Sequence, residues 1–154
     1  MNVSGIIKGG LLAGLVINIG EIILNRFIVA DSWEGVAAFL GYEQSGIDVA
    51  MPILMGFLMV IAGVWLYAIA RPRLGAGPET AFKIGLVAWF FAWFWQNVSF
   101  MTRGDLFPME LLLISTVWTL IETPLAVIAG AWLYTEVESH AKSEEQDPIA
   151  EAAA

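Results

Sequence analysis

The chain contains no Cys and only one His, His140, and Asp, Glu, Lys and Arg together make up 14% of its residues. Without Cys there is no disulfide framework, no thiolate nucleophile and no Cys-type zinc or iron–sulfur site. A single His cannot supply both axial ligands of a bis-His haem. The sequence also lacks a Ser/His/Asp arrangement, a Walker loop and a GxGxxG motif. We therefore expect a protein that is not an enzyme and that holds no metal ion.

Basic residues are scarce as well. Seven Lys and Arg stand against 15 Asp and Glu, which gives a formal net charge of -8. The chain has no basic field with which to hold phosphate backbones. We expect no nucleic-acid partner.

Apolar residues dominate what is present. They make up 58% of the 154 residues, and the mean hydropathy is +0.74. This apolar fraction is higher than that of typical soluble domains. A helix needs about 20 mostly apolar residues to cross a bilayer, and four stretches meet this need, at about residues 6–29, 51–70, 81–101 and 109–134. The sequence predicts an all-α integral membrane four-helix bundle in residues 1–135, with the lipid bilayer as its partner.

The two sides of the predicted spans differ in charge. The basic residues on one side are Lys8, Arg71, Arg73, Lys83 and Lys142. Only Arg26 and Arg103 flank the other side, so the positive-inside rule places both termini in the cytoplasm. Residues 136–154 hold six carboxylates and one Lys, which predicts an acidic cytoplasmic tail that is disordered or weakly helical.

The connection between the first two spans carries a short apolar pattern. Ser32 is placed to cap a helix. The residues on one side of that helix are Trp33, Val36, Ala37 and Leu40. Such a helix would lie at the membrane interface, and a surface loop is the alternative.

One segment of the sequence occurs twice. Residues 60–67 recur as residues 127–134 with seven of eight positions identical, at an offset of 67. A weaker match at an offset of 75 aligns Lys8, Gly10, Leu11 and Ala13 with Lys83, Gly85, Leu86 and Ala88. This pattern predicts two tandem helical hairpins that run in the same direction, as parallel repeats about an axis along the membrane normal. Similar packing chemistry at two helix ends is the alternative.

Polar residues recur inside the predicted spans. The face they share on the first span comprises Gly10, Gly14, Asn18, Glu21 and Asn25, spaced by four, four, three and four residues. Thr119 and Glu122 lie on a similar stripe of the fourth span, and Gln96 and Asn97 lie near the outer end of the third. We predict one intramembrane polar cluster formed by Asn18, Glu21, Asn25, Gln96, Asn97, Thr119 and Glu122, with Arg26 at its mouth.

The small residues predict where helices meet. Glycines allow two helix backbones to approach closely in a membrane. We expect Gly10 and Gly14, and the glycines of the repeated segment, Gly63 and Gly130, to lie at contacts between helices.

The two acidic residues of the cluster admit two interpretations. An ionised carboxylate at mid-bilayer costs at least about 2.5 kcal/mol unless it is paired, hydrated or protonated. We expect Glu122 to be protonated, or to share a proton or hydrogen bond with the polar face of the first span. Glu21 and Glu122 would then either carry protons or bind a substrate, or they would only hold helices in register.

A longer segment carries a resemblance. Residues 65–81, WLYAIARPRLGAGPETA, with GLVIN at residues 14–18, resemble small uncharacterised four-span bacterial inner-membrane proteins. The resemblance implies a bacterial inner membrane location and supplies no activity and no catalytic residue.

Three functions fit these patterns. The first is a structural or accessory subunit, or a homo-oligomeric scaffold, within a membrane complex. The alternative is a small proton-linked carrier or channel that uses Glu21 and Glu122. The third is a binder of an apolar cofactor along the third span, whose rings include Trp89, Phe91 and Trp93.

Overall fold

The structure, a computed structural model, describes residues 2–102 and 106–135. Its α-helices are α1 (Val3–Ile23), α2 (Ala30–Leu40), α3 (Gly46–Leu74), α4 (Pro78–Trp89), α5 (Trp95–Met101) and α6 (Met109–Leu133). A π-helical turn, Leu24–Ile28, extends α1, and a second one, Phe90–Phe94, joins α4 to α5. The described residues contain no strand, and the predicted all-α fold is confirmed. The predicted tail, residues 136–154, and Arg103 lie outside the described residues.

Within the described ranges, four helical stretches are long and apolar enough to cross a membrane: Val3–Ile28, Gly46–Leu74, Pro78–Met101 and Met109–Leu133. They make the chain a multi-pass membrane protein, as predicted. α3 is longer at both ends than its predicted span. It begins at Gly46 because Ser45 and Asp48 form a capping box at its start, and it holds both Pro52 and Pro72 within its length.

The four spans form one bundle. α1 packs extensively against α3 and α6, and α6 also packs against α4, whereas the contact between α3 and α4 is smaller. We call one end of the bundle the termini end, because the Asn2 amide donates to the Tyr134 hydroxyl there at 3.3 Å. The Gly77 amide donates to the Tyr67 hydroxyl at the same end, at 3.1 Å. We call the opposite end the α2 end.

Apolar side chains fill the bundle in three layers. The central layer is formed by Ala13, Ile17, Val60, Val64 and Ala126. A second layer at the termini end includes Ile6, Tyr67, Ala81, Val127 and Tyr134. The third layer, at the α2 end, is formed by Leu24, Val29, Val36 and Leu111. Van der Waals contacts among these packed side chains hold the long helices in place against one another.

Glycines set the distance between α1 and its neighbours. A Cβ atom added to Gly9 would overlap the Gly130 carbonyl oxygen on α6, so the two backbones touch without side chains between them. The four glycines that were predicted at helix contacts each lie against a neighbouring helix. Gly10 faces Ile61, Gly14 faces Phe57, Gly63 faces Val127, and Gly130 faces Gly9 and Val64.

α2 packs over one end of the bundle, against the apolar layer that contains Leu24 and Leu111. Val36 is buried in the apolar layer there, and the Trp33 ring contacts the Phe107 ring edge-on, with centroids 6.1 Å apart. The predicted role of Ser32 as helix cap is wrong, since the helix already begins at Ala30 and Val29 precedes it with no side-chain cap. Phe39 and Leu40 remain exposed, as expected of a helix that rests on a membrane interface.

Candidate functional site

Among the described residues, Glu122 is the least exposed acidic side chain. It is the fourteenth of the 25 residues of α6, and only 8% of its surface is exposed. Its carboxyl group fits against the backbone of α1 because residue 20 is Gly. A Cβ atom on Gly20 would overlap Glu122 Oε1, so this glycine provides the space that the carboxyl group occupies.

The Glu122 carboxyl group is not satisfied by its surroundings. Neither of its oxygens has a hydrogen-bond partner among the described residues, and the same holds for the indole N–H of Trp118, one helical turn earlier, and for the hydroxyl of Thr123. The Trp118 indole N–H and the backbone N–H of Glu21 are donors close enough to interact with the carboxyl group, although neither reaches standard hydrogen-bond geometry. Buried polar atoms without partners are rare, because each costs about 1–3 kcal/mol. Their concentration around one carboxyl group marks it as a candidate functional site.

Glu21 brings a second carboxyl group to the same place. It lies close enough to Glu122 for its charge to act on the Glu122 carboxyl group. Its Oε2 accepts a hydrogen bond of 2.9 Å from Asn25 Nδ2, whereas its Oε1 is buried and has no partner among the described residues. Two adjacent carboxylates repel each other, so they share a site most favourably when one of them is neutral.

A line of hydrogen bonds leads from Glu21 to the α2 end. Asn25 Nδ2 donates to both the Glu21 backbone oxygen, at 2.8 Å, and the Glu21 carboxylate. Asn25 Oδ1 in turn accepts a hydrogen bond of 2.7 Å from the Trp33 indole on α2. Asn25 belongs to the π-helical turn Leu24–Ile28, and such turns often occur at functional sites. The line ends at Trp33, which is partly exposed.

The opposite side of the carboxyl pair is mostly apolar. Ala13, Ile17 and Val64, of the central layer, are each at most 1% exposed, and beyond them the backbones of α1 and α6 meet at Gly9 and Gly130. Two polar side chains also lie on this side, but Asn18 donates only to a carbonyl of its own helix and the Thr123 hydroxyl has no partner within the described ranges. The described residues therefore form no line of hydrogen bonds from the pair to the termini end.

Other members of the predicted cluster lie elsewhere. Asn18 is buried, but its amide faces Gly56 on α3 and donates to the Gly14 carbonyl at 2.8 Å. Thr119 is also buried and donates to the Ser115 carbonyl of its own helix, at 2.7 Å. Neither forms a hydrogen bond to the other helix that the predicted cluster required.

The third span forms a separate polar contact. Asn97 Nδ2 donates to Thr116 Oγ1 at 2.7 Å, and Asn97 is buried. Gln96 is exposed on the surface of α5, so its predicted place in the cluster is wrong. The π-helical turn Phe90–Phe94 provides the reason, because its wider winding shifts the helix face by about one residue and turns Asn97, rather than Gln96, toward α6.

Sequence reasoning missed three residues that shape the site. Gly20 was overlooked because it falls outside the four-residue spacing of Gly10 and Gly14, although it adjoins Glu21. Trp118 precedes Glu122 by four residues, a spacing that places both on one helix face. The contact of Trp33 with Asn25 depends on how α2 folds back over the bundle, and no local pattern predicts it.

No protein family, curated protein or solved structure matches this chain. The two carboxyl groups can bind a proton, and the hydroxyl and indole groups near them can form hydrogen bonds. The described residues place no nucleophile with an activating base beside them.

Proposed function

We propose that this chain is a small, non-enzymatic, proton-linked membrane carrier or channel in which the Glu21–Glu122 pair binds and releases a proton. One observation carries the proposal: the Glu122 carboxyl group lies at mid-span, is 8% exposed and has no hydrogen bond of standard geometry among the described residues. A carboxylate in that position costs about 2.5–3.5 kcal/mol on insertion scales. A purely structural role would not require this cost, since Gln can hydrogen-bond between helices without a charge.

The pair is well suited to exchange one proton. When Glu122 is neutral its O–H can donate to an acceptor, and the charge of Glu21 acts on the same site. Loss of the proton would leave two like charges close together, which favours binding of another proton. Asn25 holds the carboxyl group of Glu21 in place during this exchange.

Transport measurements test the proposal. The chain is reconstituted in proteoliposomes, and proton flux is followed with a pH-sensitive dye for the native chain, Glu122→Gln and Glu110→Gln. Glu110 lies exposed in the first turn of the same helix, so it is a matched control. We expect Glu122→Gln to abolish flux and Glu110→Gln to retain it. Native flux in a correctly folded Glu122→Gln variant would overturn the proposal.

A second function, that of an accessory subunit or homo-oligomeric scaffold, is favoured by the third span. It is the least buried of the four, with 11% of its most apolar stretch buried against 44% for α6. Its exposed surface carries Phe91 and Trp95 and the polar Gln96, and polar side chains in membranes commonly bond to another helix. Cross-linking from a Cys placed at Phe91 tests this function. A cross-linked homodimer or a captured partner supports it, and a monomer under all conditions counts against it.

We also propose that both termini are cytoplasmic and that the two hairpins arose by internal duplication. The basic residues Lys8, Arg71, Arg73 and Lys83 lie toward the termini end, which supports cytoplasmic termini in a bacterial inner membrane. The paired contacts of Tyr67 and Tyr134 support an internal duplication. Each hydroxyl accepts the amide that precedes the first helix of the other hairpin, Gly77 before α4 and Asn2 before α1, and the two rings meet edge-on with centroids 6.1 Å apart.

A further inference from the structure

We infer that the Glu21–Glu122 pair exchanges protons only with the α2 end of the bundle, and that Asn25 is the positioning residue on this route. The inference rests on the proposed function, since it assigns a direction to the proton exchange proposed there. It specifies which compartment the site serves in the arrangement that the structure describes.

Hydrogen-bonded polar groups form a continuous line from the carboxyl pair to α2. The hydrogen bonds from Trp33 to Asn25, at 2.7 Å, and from Asn25 to the Glu21 carboxylate, at 2.9 Å, join the pair to a residue that is 41% exposed. Polar atoms along such a line offer hydrogen bonds to water or hydronium that approaches the pair. Glu21 itself is only partly buried, whereas Glu122 is buried.

On the side of the pair that faces the termini end, the bundle is closed by packed apolar residues. Ala13 and Val64 have no exposed surface, and Ile17 is 1% exposed. The Gly9–Gly130 backbone contact lies beyond them. Apolar side chains packed at this density offer no hydrogen bond to a proton carrier, and an empty apolar space stays dry. Exchange with the termini end would require α1 and α6 to separate.

Asn25 has the geometry of a positioning residue. Its amide donates twice to Glu21, to the backbone oxygen and to the carboxylate, which fixes both its own orientation and that of the carboxyl group. Its carbonyl oxygen is held by Trp33, which packs against Phe107. α2 thus determines where the Glu21 carboxyl group lies.

Single-Cys accessibility tests the inference directly, because the chain contains no Cys and any introduced thiol is unique. Asn25→Cys and Ala13→Cys are treated, in sealed vesicles of known orientation, with a membrane-impermeant thiol reagent on one side at a time. Glu43→Cys, beside α2, and Glu79→Cys, at the start of α4, report each side. We expect Asn25→Cys to react only from the α2 side and Ala13→Cys from neither. Reaction of Ala13→Cys from the termini side, or none of Asn25→Cys from the α2 side, would overturn the inference.

A second measurement uses the native chain and does not depend on the folding of a variant. A water-soluble carbodiimide is added to one side of the vesicles, and mass spectrometry locates the modified carboxyl groups. The inference requires Glu21 to be modified from the α2 side only, and it fails if Glu21 reacts from the termini side or from neither. These experiments measure access and not flux. If access is one-sided but Glu122→Gln keeps native flux, the proposed function fails while the inference about access stands.

Discussion

At the scale of single residues, the site depends on a glycine that makes room for a carboxyl group of the neighbouring helix. Residue 20 of α1 is Gly and has no side chain, and the carboxyl group of Glu122 on α6 occupies the space where a Cβ atom would lie. The carboxyl group therefore lies directly against the backbone of α1, which explains how it is so well buried. Packing in the interior of a protein leaves little room for an added methyl group at such a contact.

Gly20→Ala should destabilise the bundle by about 1–3 kcal/mol because the new methyl group must displace Glu122 or push the helices apart. Gly35→Ala is a matched control, since a Cβ atom there meets nothing within 4 Å and Ala favours the α2 helix. Thermal unfolding in mild detergent measures both. Equal stability of the two variants would contradict the described contact between Gly20 and Glu122.

The Asn97–Thr116 hydrogen bond is a residue-scale contact that the proposed site does not need. Thr116→Val removes the acceptor of the 2.7 Å bond and should cost about 0.6–1.7 kcal/mol, the range of such bonds inside membranes. Proton flux should be unchanged. A loss of flux without a loss of thermal stability would show that Asn97 belongs to the proton-binding site after all.

The sequence predicted the chemistry of individual residues better than their partners. Glu21 and Glu122 are conspicuous because each interrupts an apolar run. Whether they meet depends on the rotation of α1 about its axis, and the four-residue spacing of Gly10, Gly14 and Asn18 suggested a face that in fact packs on α3. Side chains only three or four positions apart can thus face different neighbours.

At the scale of helices, the glycines divide the surface of α1 between two partners. Gly10 and Gly14 face α3, whereas Gly9 and Gly20 face α6. Helices pack closely along such small-residue surfaces because van der Waals contact between backbones replaces contact with lipid.

The severity of a Gly→Ala change should follow what the new methyl group meets. Gly9→Ala places it on a backbone carbonyl, that of Gly130, whereas Gly63→Ala places it 3.1 Å from a side-chain methyl of Val127. A side chain can move aside more easily than a backbone. We expect Gly9→Ala to destabilise by about 1–3 kcal/mol and Gly63→Ala by less, as measured by unfolding in detergent. The reverse order would argue against the close α1–α6 contact.

The positions of the helices followed from hydropathy, but their irregularities did not. Apolar runs of sufficient length predicted all four spans, and α3 differs mainly at its ends, where Ser45 and Asp48 start the helix early. The π-helical turns Leu24–Ile28 and Phe90–Phe94 left no mark in the periodicity used for prediction. Both Gln96 and Asn97 were predicted to join the cluster, and a shift of about one residue in the third span leaves Gln96 exposed and turns Asn97 toward Thr116.

At the scale of the whole molecule, the two hairpins are joined through corresponding tyrosines at the termini end. The hydroxyl of each tyrosine caps the start of the other hairpin. The chemistry around the carboxyl pair lacks a counterpart in the other half, because Glu21 aligns with Gln96, which is exposed. A duplicated architecture would thus hold a single proton-binding site.

If the hairpins are related by duplication, Tyr67→Phe and Tyr134→Phe should have similar effects. Each removes one hydrogen bond to a backbone amide and should cost about 0.5–1.5 kcal/mol, and the edge-on ring contact should survive in both. Unfolding in detergent compares the two variants. A large effect of one and none of the other would show that the two contacts are not equivalent.

The proposed proton-linked function depends most on the protonation of the Glu122 carboxyl group in the middle of the bundle. Infrared difference spectroscopy during a pH change tests it directly, because the C=O stretch of a protonated carboxyl group is separate from that of a carboxylate. We predict that the native chain and Glu110→Gln show a protonated-carboxyl band at neutral pH that is lost on alkalinisation, and that Glu122→Gln lacks this band. A spectrum that is the same with and without Glu122 would contradict the account.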